Sequence, residues 1–175
     1  MARIPYADLN DEQIKPLAER IVNERGSVLH LYQMLLHSPP VAEGWLSYLT
    51  AIRQKSTLNG ALRELVIVRI AQINGADYEA EQHIPIALQE GATQEQLDAL
   101  EKWEGASCFS ETEKRVLALT EEMTRNVHVP ADLVEALKAD FSNRELVELA
   151  ATIAAYNMVS RFLEALGIDS NDPRD

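Results

Sequence analysis

Residues 60–91, GALRELVIVRIAQINGADYEAEQHIPIALQEG, constrain the fold more than any other stretch of this 175-residue chain. The spacing predicts two helices. The first covers about 62–73 and is apolar almost all round, through Leu65, Val66, Ile67, Val68, Ile70, Ala71 and Ile73. A helix without a polar stripe belongs inside a protein. Asn74-Gly75 breaks it, because both residues tolerate the left-handed conformation that ends helices. Asp77 is the expected N-cap of the second helix, which runs to about Gln89 and stops at Gly91. Glu79 and His83 lie four apart and share a face of that helix. Glu64 lies near the start of the first. An acid in a buried helix, facing a Glu/His pair across a tight turn, suits proton transfer.

The flanking sequence reads as further helices. One is expected over about 11–24, capped by Asn10 and ended by Gly26, and one over 27–37. A third follows the Pro39-Pro40 break to about 55. Beyond Gly91, Thr93 to Gln96 forms a capping box for a short helix ending near Trp103. Ser110 to Glu113 opens another, to about Asn126. Pro130 starts one over 130–139, at the first-turn position proline favours. Ser142 to Glu145 opens the last, which Gly167 stops. Residues 1–9 read as extended, with Pro5 and Tyr6 pinning them to the body or to a neighbouring subunit. The polar tail 168–175 reads as frayed. No alternating stretch reads as a strand. The expected fold is all-α, with eight or nine helices in one domain over 1–175. Arg63-Glu64-Leu65-Val66 recurs as Arg144-Glu145-Leu146-Val147, which suggests internal duplication. The second copy lacks the Asn-Gly break and the Glu/His pair, so the chemistry is assigned to the first.

Composition narrows the function. With 46% hydrophobic and 25% charged residues the chain is of ordinary globular type. A net charge of −12 argues against general affinity for nucleic acid or anionic membranes, so an anionic substrate needs a local Arg or Lys. The single Cys108 excludes an internal disulfide and fits a reducing, cytoplasmic setting. The N-terminus lacks the apolar run of a signal peptide. No stretch is read as a membrane span.

The stretch LRELVIVRIAQINGADYEAEQHIPIALQEGAT resembles the carboxymuconolactone decarboxylase family, which shares its fold with the AhpD-like alkylhydroperoxidases. Arg63-Glu64, the apolar run, Asn74-Gly75, Tyr78-Glu79, His83, Ala87 and Gly91 with Thr93 carry the resemblance. LYQMLLHSPPVAEGW and AAYNMVSRFLEALGI extend it over nearly the whole chain. It implies an AhpD-like helical bundle, a homotrimer or hexamer of trimers, and a site near a subunit interface. The peroxidase branch carries Cys-x-x-Cys at the start of the second helix, a His four residues later and a Glu twelve before. Those positions here are Ala76, Glu79, His83 and Glu64. Thiolate attack on a peroxide needs a sulfur, so thiol peroxidase activity is not expected. Tyr78 to His83 instead matches the decarboxylase branch, which acts on a carboxylated muconolactone without a cofactor.

The expected catalytic residues are therefore His83, Glu79 and Glu64. His83 suits proton transfer near neutrality. Arg69, in mid-helix, and Arg161, on the last helix, are candidate grips for a substrate carboxylate, although a structural ion pair is the plainer role for each. Tyr78 is a candidate hydrogen-bond donor. No metal is expected: the di-iron helical pattern would need an acid where Ala80 stands, and no Cys/His cluster supports zinc. The partners implied are a small carboxylate substrate and further copies of the chain. Lactone hydrolysis, enol–keto isomerisation, a non-catalytic ligand-binding role and redox sensing through Cys108 are alternatives.

Overall fold

In the computed structural model, which describes residues 1–173, the helical periodicity is realised as nine α-helices and one 3-10 segment, with no strand among the described residues. The helices are α1 Lys15–Arg25, α2 His30–Leu35, α3 Pro39–Gln54, α4 Gly60–Asn74, α5 Asp77–Gln89, α6 Gln94–Ala99, α7 Glu111–Arg125, α8 Ala131–Leu137 and α9 Asn143–Leu166; the 3-10 segment is Leu100–Gly105. The chain divides into two compact units, Met1–Lys55 with Leu163–Asp175 and Ser56–Phe162.

The second unit is built on α4. Every residue from Leu62 to Ala71 is buried, as expected for a helix apolar all round. α5, α7 and the 3-10 segment pack on it. Leu65 and Val68 of α4 join Ala87, Leu97, Leu100, Trp103, Phe109 and Leu117 in one apolar cluster. Gly75, at φ 65°, turns the chain out of α4, and the Ala76 amide closes the turn on the Ala71 carbonyl at 2.9 Å. Glu148 of α9 anchors the loop before α4. It accepts from Ser56 Oγ at 3.0 Å, from Thr57 N and Oγ1 at 2.7 Å each, and from Arg144 at 2.8 Å. Burial opposes its ionisation, but these donors hold the carboxyl down at about 2.

In the first unit α3 packs on α1 and α2. The N-terminal arm is fixed by Arg3 N to Leu166 O at 2.8 Å and by Tyr6 Oη to Asp172 at 2.8 Å. The tail is thus held as far as Asp172, contrary to the frayed end expected; residues 174 and 175 of that tail lie outside the described residues.

Several boundaries differ from the sequence reading for local reasons. α1 begins at Lys15, not near 11, because Asp8 and Asp11 draw the preceding amides into turns, and Pro16 suits a first turn. The α5 N-cap is Ala76, with Asp77 the first helical residue. Pro130 is the N-cap of α8, one position before the site proline favours. α9 is long and apolar enough to cross a membrane, which the sequence reading did not expect of any stretch. Half of its apolar window is buried inside the protein, as in a core helix. The two Arg-Glu-Leu-Val copies differ in setting: the α4 copy is buried, whereas Val147 of the other is 68% exposed.

The predicted capping box forms at Thr93, and Ser110, read from the sequence only as a helix start, forms a second one with Glu113. Ser110→Ala should lower stability by about 1 kcal/mol in denaturant unfolding, since it removes the acceptor for the Glu113 amide.

Candidate active site

The packing of α5 on α4 brings His83 onto Glu64. His83 Nδ1 donates to Glu64 Oε2 at 2.6 Å, with the Glu64 carboxyl fully buried and His83 7% exposed. Arg63 Nε donates to the other oxygen, Oε1, at 3.1 Å, and Arg63 also lies 3.4 Å from Glu90. Both carboxylate oxygens of Glu64 are thereby engaged by donors, as a buried charge requires. The bond turns Nδ1 of the ring to the Glu64 carboxyl and so orients the imidazole. The imidazole meets the Tyr156 ring edge-on, centroids 5.0 Å apart and planes at 88°. A Cβ at Gly60 would displace the Glu90 carboxylate, the end of an exposed side chain.

Glu79, although one turn from His83, does not bond it. Its Oε2 meets Ser160 Oγ of α9, and its Oε1 has no hydrogen-bond partner among the described residues. It is 2% exposed, and burial pushes its carboxyl up to about 8. Ser160 Oγ also lies 2.9 Å from the Tyr156 carbonyl. Tyr156 thus adjoins both polar pairs, through its ring at His83 and its carbonyl at Ser160.

The other expected site residues lie in different settings. Arg69 Nε donates to Glu121 at 2.7 Å and its terminal nitrogen also meets that carboxylate, while Gln72 takes a third contact at 3.2 Å. Burial opposes ionisation of Glu121, but Arg125 and Arg69 hold it below its ordinary range. The charge expected to need a partner in mid-helix has one on α7. Arg161 donates to Asn157 O at 3.0 Å and Oδ1 at 2.7 Å. Tyr78 is buried beside Glu79 in the first turn of α5. Cys108 is half-buried. No group of three or more His, Cys, Asp or Glu among the described residues is arranged to hold a metal ion.

Sequence reasoning missed Ser160 and Tyr156; the plainer role it allowed Glu64, pairing with Arg63, is realised beside the His83 bond. The signal for the first two was available: Thr152, Tyr156 and Ser160 recur every four residues in an apolar helix, and all are buried.

Residues 39–122 match the model of the carboxymuconolactone decarboxylase family. An uncharacterized Bacillus subtilis (strain 168) protein, YdfG, is 28% identical over 116 residues, 65% of this chain and 79% of its own length. The crystal structure of an uncharacterized peroxidase-related protein from Ralstonia eutropha JMP134, described as an alkylhydroperoxidase AhpD core, superposes with a TM-score of 0.83 at 20% identity, covering 98% of this chain and 93% of that one. The debrominase Bmp8 bound to 2,3,4-tribromopyrrole gives 0.82 at 16% identity, covering 98% and 92%. These structural likenesses establish an AhpD-like fold.

Two predictions follow from the site's electrostatics. Glu64→Ala, which removes the buried carboxylate that both Arg63 and His83 bond, should cost about 3 kcal/mol in denaturant unfolding. Glu79 has a native pKa above its ordinary 4.5. Its contribution to stability is therefore complete below pH 4.5 and is lost as pH rises towards 8. Wild-type protein should lose stability relative to Glu79→Gln across that window, and a difference independent of pH would contradict the assignment.

Proposed function

We propose that this chain, whose residues 39–122 match the carboxymuconolactone decarboxylase family model and which has the AhpD-like fold, is a cofactor-free carboxy-lyase for a small carboxylated lactone or keto acid. The observation that carries the reading is the buried Glu64–His83 bond of 2.6 Å, an imidazole held in one orientation by a carboxylate. In the reaction, the bond between the substrate carbon and its carboxylate breaks. CO2 leaves, and the electron pair passes into the adjacent carbonyl system as an enolate. His83 delivers a proton from Nε2 to that carbon and is reprotonated from solvent. Glu64 keeps the ring in place and stabilises its charged form. Glu79 is the second carboxyl of the site, and Tyr78 a hydrogen-bond donor to the substrate.

Arg63, which bonds Glu64 directly and whose other contact, 3.4 Å to the exposed Glu90, is one a ligand carboxylate can replace, is the cation we assign to the substrate carboxylate. Arg69 and Arg161, the sequence candidates for that role, have their guanidinium groups on Glu121 and Asn157. Self-association as a trimer or hexamer belongs to the same proposal. Thiol chemistry has no support, since Ala76 and Glu79 occupy the positions of the paired sulfurs.

A second reading, an oligomeric ligand-binding protein without turnover, is favoured by the near-complete burial of His83 and Glu64. Screening carboxylated lactones and β-keto acids for CO2 release separates the two. The lyase should turn over at least one of them, and His83→Ala should slow it by about 10²–10⁴-fold. Turnover by none of them, or equal turnover by His83→Ala, would favour the binding role.

A further inference from the structure

Ser160 Oγ carries a single hydrogen but has two oxygen neighbours, the Tyr156 carbonyl at 2.9 Å and Glu79 Oε2. The contact to Tyr156 is the usual back-bond of a helical serine to the carbonyl four residues earlier. With the hydrogen there, Oγ faces Glu79 with lone pairs, and the contact needs a donor that only Glu79 can supply. An ionised Glu79 would instead have at most one hydrogen bond, in a position 2% exposed, with Oε1 unpartnered among the described residues. Uncompensated burial of this kind is among the costliest arrangements in a protein.

No neighbouring charge relieves it. On α5 the titratable groups near it in sequence are Asp77 and Glu81, which are acidic, Tyr78, and His83, which is bonded to Glu64. On α4 the guanidinium of Arg63 is on Glu64 and Glu90, and on α9 that of Arg161 is on Asn157. Burial, not a nearby charge, is what drives the Glu79 carboxyl up to about 8.

We propose that Glu79 is stored as a neutral carboxylic acid at neutral pH, donating to Ser160, and that it is the hydrogen-bond donor for an oxyanion of the enolate or phenolate class, with Ser160 as its positioning residue. A half-turn of the carboxyl group carries the O–H from Ser160 to the ligand, and Ser160 turns its own hydrogen to the carboxyl oxygen left behind. No bond to carbon and no net proton transfer is involved. The two buried carboxyls then have opposite duties: Glu64 accepts from His83 and Arg63, whereas Glu79 donates. Groups of one kind held in opposite protonation states by their surroundings are how active sites divide acid from base work. The identity of the oxyanion rests on the lyase reading; the protonation of Glu79 does not.

Carboxyl 13C NMR of protein labelled at glutamate Cδ tests the first part. One carboxyl of the wild type should stay protonated through neutral pH and titrate near 8, and that signal should be absent from Glu79→Gln. Ser160→Ala should leave it protonated but move its shift, because its acceptor is gone. Titration of every glutamate in the ordinary range would overturn the proposal, as would an outlying signal indifferent to both substitutions. Binding of 4-nitrophenolate, followed by its absorbance, tests the role. Wild type and Glu79→Gln, whose amide still donates, should bind alike, and Glu79→Ala about tenfold more weakly. Equal binding by Glu79→Ala, or none by wild type, would remove the donor role. Absence of CO2 release from every substrate, with the NMR and binding results as expected, would end the lyase reading and leave this one standing.

Discussion

Burial of α4 is the constraint on which the second unit depends. Ten consecutive residues of this helix are inaccessible, and three of them, Arg63, Glu64 and Arg69, carry charge. A charge taken out of water must find partners at the same depth. Those partners come from the helices around it: His83 from α5 for Glu64, and Glu121 from α7 for Arg69. The apolar residues of α4 drive the burial, while its charged residues select which face of α5 and α7 can lie against it. A one-residue change of register would break both pairs, because neighbouring positions on a helix point about 100° apart.

The same depth makes the site chemically uneven. Glu64 and Glu79 are both nearly inaccessible, yet only Glu64 is met by a guanidinium and an imidazole. Glu79 meets a hydroxyl whose single hydrogen must serve both its carboxyl and a backbone carbonyl. Burial alone favours the neutral acid, and burial with a cation favours the carboxylate. Tyr156 adjoins both arrangements, so a shift of α9 along its axis would alter the setting of His83 and of Ser160 together.

Much of this was legible in the chain. The all-round apolar pattern of residues 62–73 implied a buried helix. Asn74-Gly75 implied its end, since a left-handed residue there closes the last turn on the Ala71 carbonyl. The capping box at Thr93 and the helix start at Ser110 were readable because they are local, each set within four residues. The pairing of Glu64 with His83 could be suspected from the turn between two adjacent helices. The i,i+4 spacing of Glu79 and His83 was the less faithful guide: it placed them on one face, but their side chains turn to different helices.

By itself the sequence determined the helical class, the break at Gly75 and the need for partners at each charge in α4, because periodicity, turn chemistry and the cost of a buried charge are properties of short stretches. Tertiary structure alone decided who those partners are. Ser160 lies 81 residues from Glu79, and Glu121 lies 52 from Arg69. No local rule selects one serine or one acid from among many at such separations. Whether a buried carboxyl meets a cation or a hydroxyl is settled only when the helices pack, and that choice sets which of the two acids holds its proton.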